Sequence, residues 1–535
     1  MNTTEQEVRT FIEAHVARLA PLQREANLAE WEGATTGAPE ATQRAAAARA
    51  AVRRLYSDAE KARQVKAWLD SPGLTDPLLR RQLVLLDHDF TANQLSPEVI
   101  EDLTQRAAEL EQLFHTFRAE LDGERVSNNH LLDILRTELD EERRRRAWEA
   151  SKQVARQVAE PLRELVRRRN AAARSLGFEN YYVMELRLQE LEEERLFGIL
   201  DDFRDLSEEP YRVLRAGIDA ALAERHGIAP EELRPWHWED FYAQNAPAVG
   251  RVQLDDFFAA QDLVAIAAEF YRGIGLPADD VIEQSDLFER EGKDQHAFCT
   301  DIDREGDVRM LCNLRDNEKW MSTLLHEMGH AVYDKFLPGS LPYLVRSPAH
   351  TLSTEAIAMF MGRLTRDPEW LREVMGSPIE EDDAVEVRHQ LRAAMLIAAR
   401  WILVMAYFER ELYRDPDRED LNTLWWDLVE RLQLVRRPDG RDEPDWAAKI
   451  HLSTAPVYYH NYLLGELMAS QLEAHLGRVL PGRNGGSIRG EEAVGAYLRE
   501  QVFAPGASFD WDGLLAHATG EGLRPRYFVE QFVRG

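Results

Sequence analysis

The segment His326-Glu327-Met328-Gly329-His330 has the residue types and spacing of a hydrolytic metal site. On an α-helix, positions i and i+4 lie one turn apart on one face, so both imidazoles can reach one tetrahedral ion. Glu327 is rotated by about 100° from His326, off the metal but close to a water that the ion holds. Such an ion polarises a carbonyl and acidifies a water, and a neighbouring carboxylate takes the proton. The competing reading is a core helix with two satisfied histidines. A hydrolytic zinc site needs three protein ligands and one open position. Ser353-Thr354-Glu355 reads as an N-cap and first turn leading into an apolar run, where a carboxylate is costly unless paired or bound to metal. Glu355 is therefore the candidate third ligand, ahead of His389 and Asp367. Its alternative role is to complete the helix dipole.

These residues need a helix to hold them. Asp316 or Asn317 can cap it, Trp320, Leu324, Met328 and Val332 form its apolar stripe, and Pro338-Gly339 stops it. Helical periodicity also dominates elsewhere. Thr4 and Glu7 stand in capping-box spacing ahead of Phe11, Ile12, Val16 and Leu19, and similar patterns run through 40–70, 97–121, 140–175 and 191–225. The expected class is all-α, with Trp425 and Trp426 in the core. Gln295–Leu314 breaks the pattern by alternating towards a Glu305-Gly306 turn. Folded about that turn, it pairs Arg304 with Asp307 and sets Cys299 opposite Cys312 at a non-hydrogen-bonded site. This leaves a disulfide open, although a reducing compartment favours two free thiols. Asp301, Asp303 and Gly306 imitate the start of a calcium loop, but Cys312 occupies the position that calcium requires to be Glu.

Composition removes other classes. The 535 residues are 44% hydrophobic and carry 65 basic against 95 acidic side chains, a formal net charge of −30. That field repels phosphate backbones and anionic lipid heads, so neither nucleic acid nor a membrane surface is an expected partner. Arg143–Arg146 follows Glu141 and Glu142 and reads as a solvated helix face. Two cysteines are too few for a disulfide framework or a four-thiolate zinc site. The first residues show no basic segment followed by an apolar run. The most apolar stretch, Ala393 to Phe408, carries Arg400 and is shorter than the roughly 20 apolar residues of a membrane span. It reads as a buried core helix, and the expected compartment is the cytoplasm. Loops at Pro235–Pro247, Arg437–Pro444 and Pro481–Gly490 are too short to serve as flexible linkers.

HEMGH followed by Glu355 resembles the gluzincin peptidases, most of all the angiotensin-converting-enzyme-like (peptidyl-dipeptidase A) family, with thimet oligopeptidases more distant. His296-Ala297 stands at that family's spacing before His326. Lys449-Ile450-His451 is similar to its Lys-x-His, and Pro456 to Tyr462 to its Pro-Tyr-x-x-Tyr, with one residue inserted after His451. Stretches around 169–178 and 26–37 look related as well. The resemblance implies a single two-lobed catalytic unit over 1–535, with a deep substrate channel and a small hairpin beside the zinc helix. It implies one zinc on His326, His330 and Glu355, with Glu327 as general base and His451 and Tyr462 stabilising the oxyanion. His296 and Ala297 would hold the substrate backbone, and Lys449 and Tyr459 its C-terminal carboxylate. The implied reaction is release of C-terminal dipeptides from short peptides. Two departures stand against that pattern. Asn461 replaces a chloride-binding Arg, and the carboxylate-binding Gln has no clear counterpart, the nearest stretch reading Trp236-His237-Trp238-Glu239. An oligoendopeptidase or carboxypeptidase of the same fold is the alternative, and a catalytically silent binding protein the alternative from another class.

Overall fold

The computed structural model describes residues 3–247, 251–480 and 487–533. The start of the glycine-rich Pro481–Gly490 loop lies outside them. Among the described residues the chain is 69% helical, with two small antiparallel hairpins, so the all-α class holds. Alanine, leucine, arginine and glutamate fill the long helices, as their propensities favour. The periodic stretches resolve into helices at Pro39–Tyr56 and Ala59–Leu69, Pro97–Thr116, Glu141–Ser151 and Ala155–Ser175, and Glu193–His226.

One periodic stretch ends early. The 97–121 pattern stops at Thr116, and the chain turns into a hairpin of β1 (Ala119–Leu121) and β2 (Glu124–Val126). Asp122 and Gly123 both take positive φ, 55° and 85°, as the tight turn between two strands requires.

Contacts divide the chain into two compact units, each assembled from separate stretches. The first comprises Met1–Gln94, Val252–Arg388 and Leu464–Tyr527. Val8, Leu19, Leu55, Val65, Leu83 and Phe90 form one of its cores. It also holds the second hairpin, β3 (Phe298–Asp301) with β4 (Val308–Leu311), and the helices Glu318–Lys335 and Thr351–Gly362.

The second unit comprises Leu95–Arg251, His389–Leu463 and Phe528–Gly535. Its β1–β2 hairpin packs with Leu131, Ile134 and Ala147, and Trp425 and Trp426 are buried there. The expected core helix runs over Glu381–Arg414; it is long and apolar enough to cross a membrane, but 72% of its most apolar stretch is buried. Arg400 sits fully buried within it. Its guanidinium donates to Glu208, to the Ser207 hydroxyl and to the Arg204 carbonyl, which satisfies a charge that burial alone would penalise.

The register of β3 and β4 differs from the expected one. Cys299 pairs with Met310, not with Cys312, and both cysteines are free thiols. The turn is a longer loop over Ile302–Asp307, because two aspartates rebuild its hydrogen bonding. Asp301 Oδ1 accepts from the N–H groups of Asp303 and Arg304, and Asp303 Oδ1 from those of Glu305 and Asp307. Arg304 and Gly306 absorb the positive φ values.

Candidate active site

Asn317 opens the HEMGH helix in extended conformation, its side-chain oxygen accepting from the Trp320 N–H at 3.0 Å. Met321, Leu324, Leu325, Met328 and Val332 bury one face, which turns the histidines towards a cleft of about 510 Å³. The next helix begins earlier than Ser353. His350 is its N-cap, accepting from the Leu352 N–H at Nδ1, while Ser353 Oγ bonds back to His350. Glu355 is thus in the second turn, too far along to serve as an end-of-helix dipole charge.

The two helices gather the predicted ligands. His326, His330 and Glu355 each present a donor atom, and all three donors lie within 4.8 Å of one another. His326 Nε2 is 3.2 Å from His330 Nε2 and 3.6 Å from Glu355 Oε2, and His330 Nε2 is 4.0 Å from that same oxygen. Ligands of one tetrahedral zinc, each bound at about 2.0–2.2 Å, stand roughly 3.3–3.6 Å apart. Thr354 Oγ1 bonds His330 Nδ1 at 2.7 Å, which fixes the ring and leaves Nε2 for the ion.

Electrostatics agree with the geometry. Burial pulls His326 down to about 4, and burial with the neighbouring His326 pulls His330 down to about 3. Both rings therefore keep a free lone pair at neutral pH. Burial, then Glu355, pushes Glu327 up to about 8; burial, then Glu466, pushes Glu355 up to about 7. Two buried acids beside two neutral imidazoles lack a positive charge that a divalent cation would supply. The donor set fits zinc. Of the rival ligands, Asp367 caps the Pro368–Glu373 helix by accepting from the Trp370 N–H, and His389 is exposed in the second unit.

Ala297 and Cys299 line the same cleft as His326, Glu327, His330 and Glu355. The far edge of β4 is taken by Asp286, whose N–H donates to the Met310 carbonyl while its own carbonyl accepts from Cys312. Since Ile302 donates to the Asp307 carbonyl, alternation along the ladder turns the backbone groups of Ala297 and Cys299 away from β4. His296 is exposed outside this lining, its N–H bonded to Asp294.

Lys449, His451, Tyr459 and Tyr462 belong to the second unit and lie together there. The Tyr459 ring contacts both His451 and Tyr462, at centroid distances of 5.2 and 5.5 Å, and its hydroxyl accepts from Trp401 Nε1 at 2.7 Å. Burial holds Tyr459 up at about 12 and lowers His451 to about 4, with Lys449 adding to the latter. Lys449 is buried beside three aromatic rings, those of Tyr242, Trp401 and Tyr459. Its Nζ donates to Gln244 Oε1 at 2.9 Å. The contact sets a glutamine beside Lys449, which the stretch around Trp238 and Glu239 does not do. No spacing rule points to it, since the contact joins residues far apart in the chain. Glu239 is instead ion-paired with Arg225, and Asn461 donates to Gln189.

A family model described as angiotensin-converting enzyme matches residues 2–525. The chain belongs to the angiotensin-converting enzyme family of peptidases. A thermostable carboxypeptidase 1 of Pyrococcus furiosus is 31% identical over 113 residues, which is 21% of this chain and 22% of that protein. The match therefore spans about a fifth of the curated relative. Among the described residues, the HEMGH helix and its neighbour are where this member of the angiotensin-converting enzyme family gathers side chains that could hold a metal ion.

Proposed function

We propose that this member of the angiotensin-converting enzyme family is a zinc peptidase that shortens small peptides by removing C-terminal dipeptides. The observation that carries the reading is the convergence of His326, His330 and Glu355 in one cleft with Glu327. A zinc ion held there supplies Lewis acidity towards a carbonyl and a water. Glu327 accepts a proton from the attacking water and passes it to the leaving amine. The outward backbone groups of Ala297 and Cys299 give an extended peptide a strand to pair with. Within the second unit, His451, neutral and with a buried Nδ1 lacking a hydrogen-bond partner among the described residues, and Tyr462 carry donors of the kind a developing oxyanion takes. Lys449 with Gln244 offers a cation and an amide for a terminal carboxylate.

Removal of single C-terminal residues is the second reading, favoured by the similarity to a carboxypeptidase. Mass spectrometry of the products from a defined peptide mixture separates the two. Successive losses of two residues support dipeptide release, losses of one support a carboxypeptidase, and internal cuts in amidated peptides sink both.

A further inference from the structure

The catalytic cleft continues past the metal ligands. Asp334 stands one helical turn after His330, on the face that carries both histidines, and it lines the same cleft. Among the described residues its carboxylate makes no hydrogen bond and no ion pair. Three effects disfavour a negative charge there. The side chain is half-buried at the cleft wall, Asp301 adds a like charge, and the position falls in the last turn of the helix, where the dipole favours cations. Burial and then Asp301 push the carboxyl up to about 8. Arg304 is the positive group that acts on it, but that guanidinium donates to the Tyr343 carbonyl at 3.0 Å and lies over the Tyr343 ring. Asp301 is itself engaged with the N–H groups of its own loop. An acid so placed contributes nothing evident to folding, and a cation arriving in the cleft would satisfy it.

The cleft also says where that cation lies on a substrate. Asp334 acts electrostatically on Cys299, so it stands beside the β3 edge that the peptidase reading assigns to the peptide. One helical turn is about 5.4 Å and an extended chain advances about 3.3 Å per residue. For a peptide running alongside the HEMGH helix, the position facing Asp334 is roughly two residues from the one facing His330. Resting on the peptidase reading, we infer that Asp334 is a specificity-determining residue, selecting a lysine or arginine side chain about two residues from the scissile bond.

The test compares N-acetylated peptides carrying lysine or norleucine at each position near the cleaved bond. The quantity read is the lysine-to-norleucine ratio of kcat/KM, an internal ratio that a partly folded preparation does not distort. A ratio of at least about tenfold is expected at one position, falling towards one in Asp334→Asn and reversing towards glutamate in Asp334→Lys. An unchanged ratio in Asp334→Asn overturns the assignment. A preference seen only with a free amino terminus also overturns it, in favour of a site for the terminal ammonium. Calorimetric binding of the same peptides to the Glu327→Gln protein keeps the two readings apart. Lysine-selective binding without cleavage by the parent protein defeats the peptidase reading alone, and cleavage without lysine preference defeats the Asp334 assignment alone.

Discussion

Gly329 lies so close to Ala358 that a Cβ at position 329 would stand 2.7 Å from the Ala358 Cα and 3.2 Å from the Ile357 carbonyl oxygen. Gly362 has a similar place against the other helix, where a Cβ would meet the Ser322 carbonyl oxygen at 3.2 Å and His326 Cβ at 3.3 Å. The two helices therefore touch backbone to backbone, which brings Glu355 within reach of His326 and His330. The atoms facing Gly329 are main chain and cannot swing aside. Gly329→Ala should cost about 1–3 kcal/mol of stability through overpacking and weaken zinc binding, read by thermal melts and metal titration. Parental values for both would show that the helices can separate without consequence.

Glu327→Gln keeps the size of the side chain and one acceptor but cannot take a proton. Zinc content should stay near one per chain while turnover falls by about a hundredfold or more. Near-normal turnover with bound zinc would assign the base to another carboxylate.

Thr354 lines the cleft and orients His330 through a 2.7 Å hydrogen bond. Thr354→Val should lower zinc affinity by about 10–100-fold, measured by competition with a chelator. His330→Ala should abolish most binding. Full retention of zinc in His330→Ala would remove that residue from the ligand set.

Lys449 gives a pH signature. Burial, opposed by Asp240, brings its pKa down to about 8. The charged form grips a carboxylate, so the preference for free-acid over amidated peptides should be greatest below pH 8 and decline as pH rises through it. Below that range, amidation should cost about 10- to 150-fold in kcat/KM, the equivalent of a charge-assisted hydrogen bond of roughly 1.5–3 kcal/mol. Lys449→Ala should abolish the preference and Gln244→Ala diminish it. A preference that is flat with pH and survives Lys449→Ala would place carboxylate recognition elsewhere.

The convergence of the candidate metal ligands could be read from the chain because a helix converts sequence spacing directly into a shared face. His326 and His330 needed only that rule, and Glu355 needed only the cost of an acid in an apolar run. Contacts set by where individual side chains turn, whether onto their own loop or across sequence distance, were not readable in this way. The β3–β4 register depended on Asp301 and Asp303 folding back on their own loop, which lengthened the turn and moved Cys299 opposite Met310. His350 took the capping role from Ser353 because its ring nitrogen reached the Leu352 N–H. Gln244 became visible only once the fold set it against Lys449. The β1–β2 hairpin did carry a signal, the Asp122-Gly123 pair, but helical periodicity on either side of it masked that signal.

The outward edge of β3 has a further consequence for how a peptide can move. Its backbone groups recur every second residue, so a chain displaced by one residue meets the edge with its own groups facing the wrong way, and every side chain changes sides. Displacement by two restores each pairing with new residues in the same places. For a peptide paired with Ala297 and Cys299, a stride of two would therefore be favoured whichever side chains pass over the edge. Proline or an N-methylated residue would stall that stride only when its missing N–H falls on the paired phase.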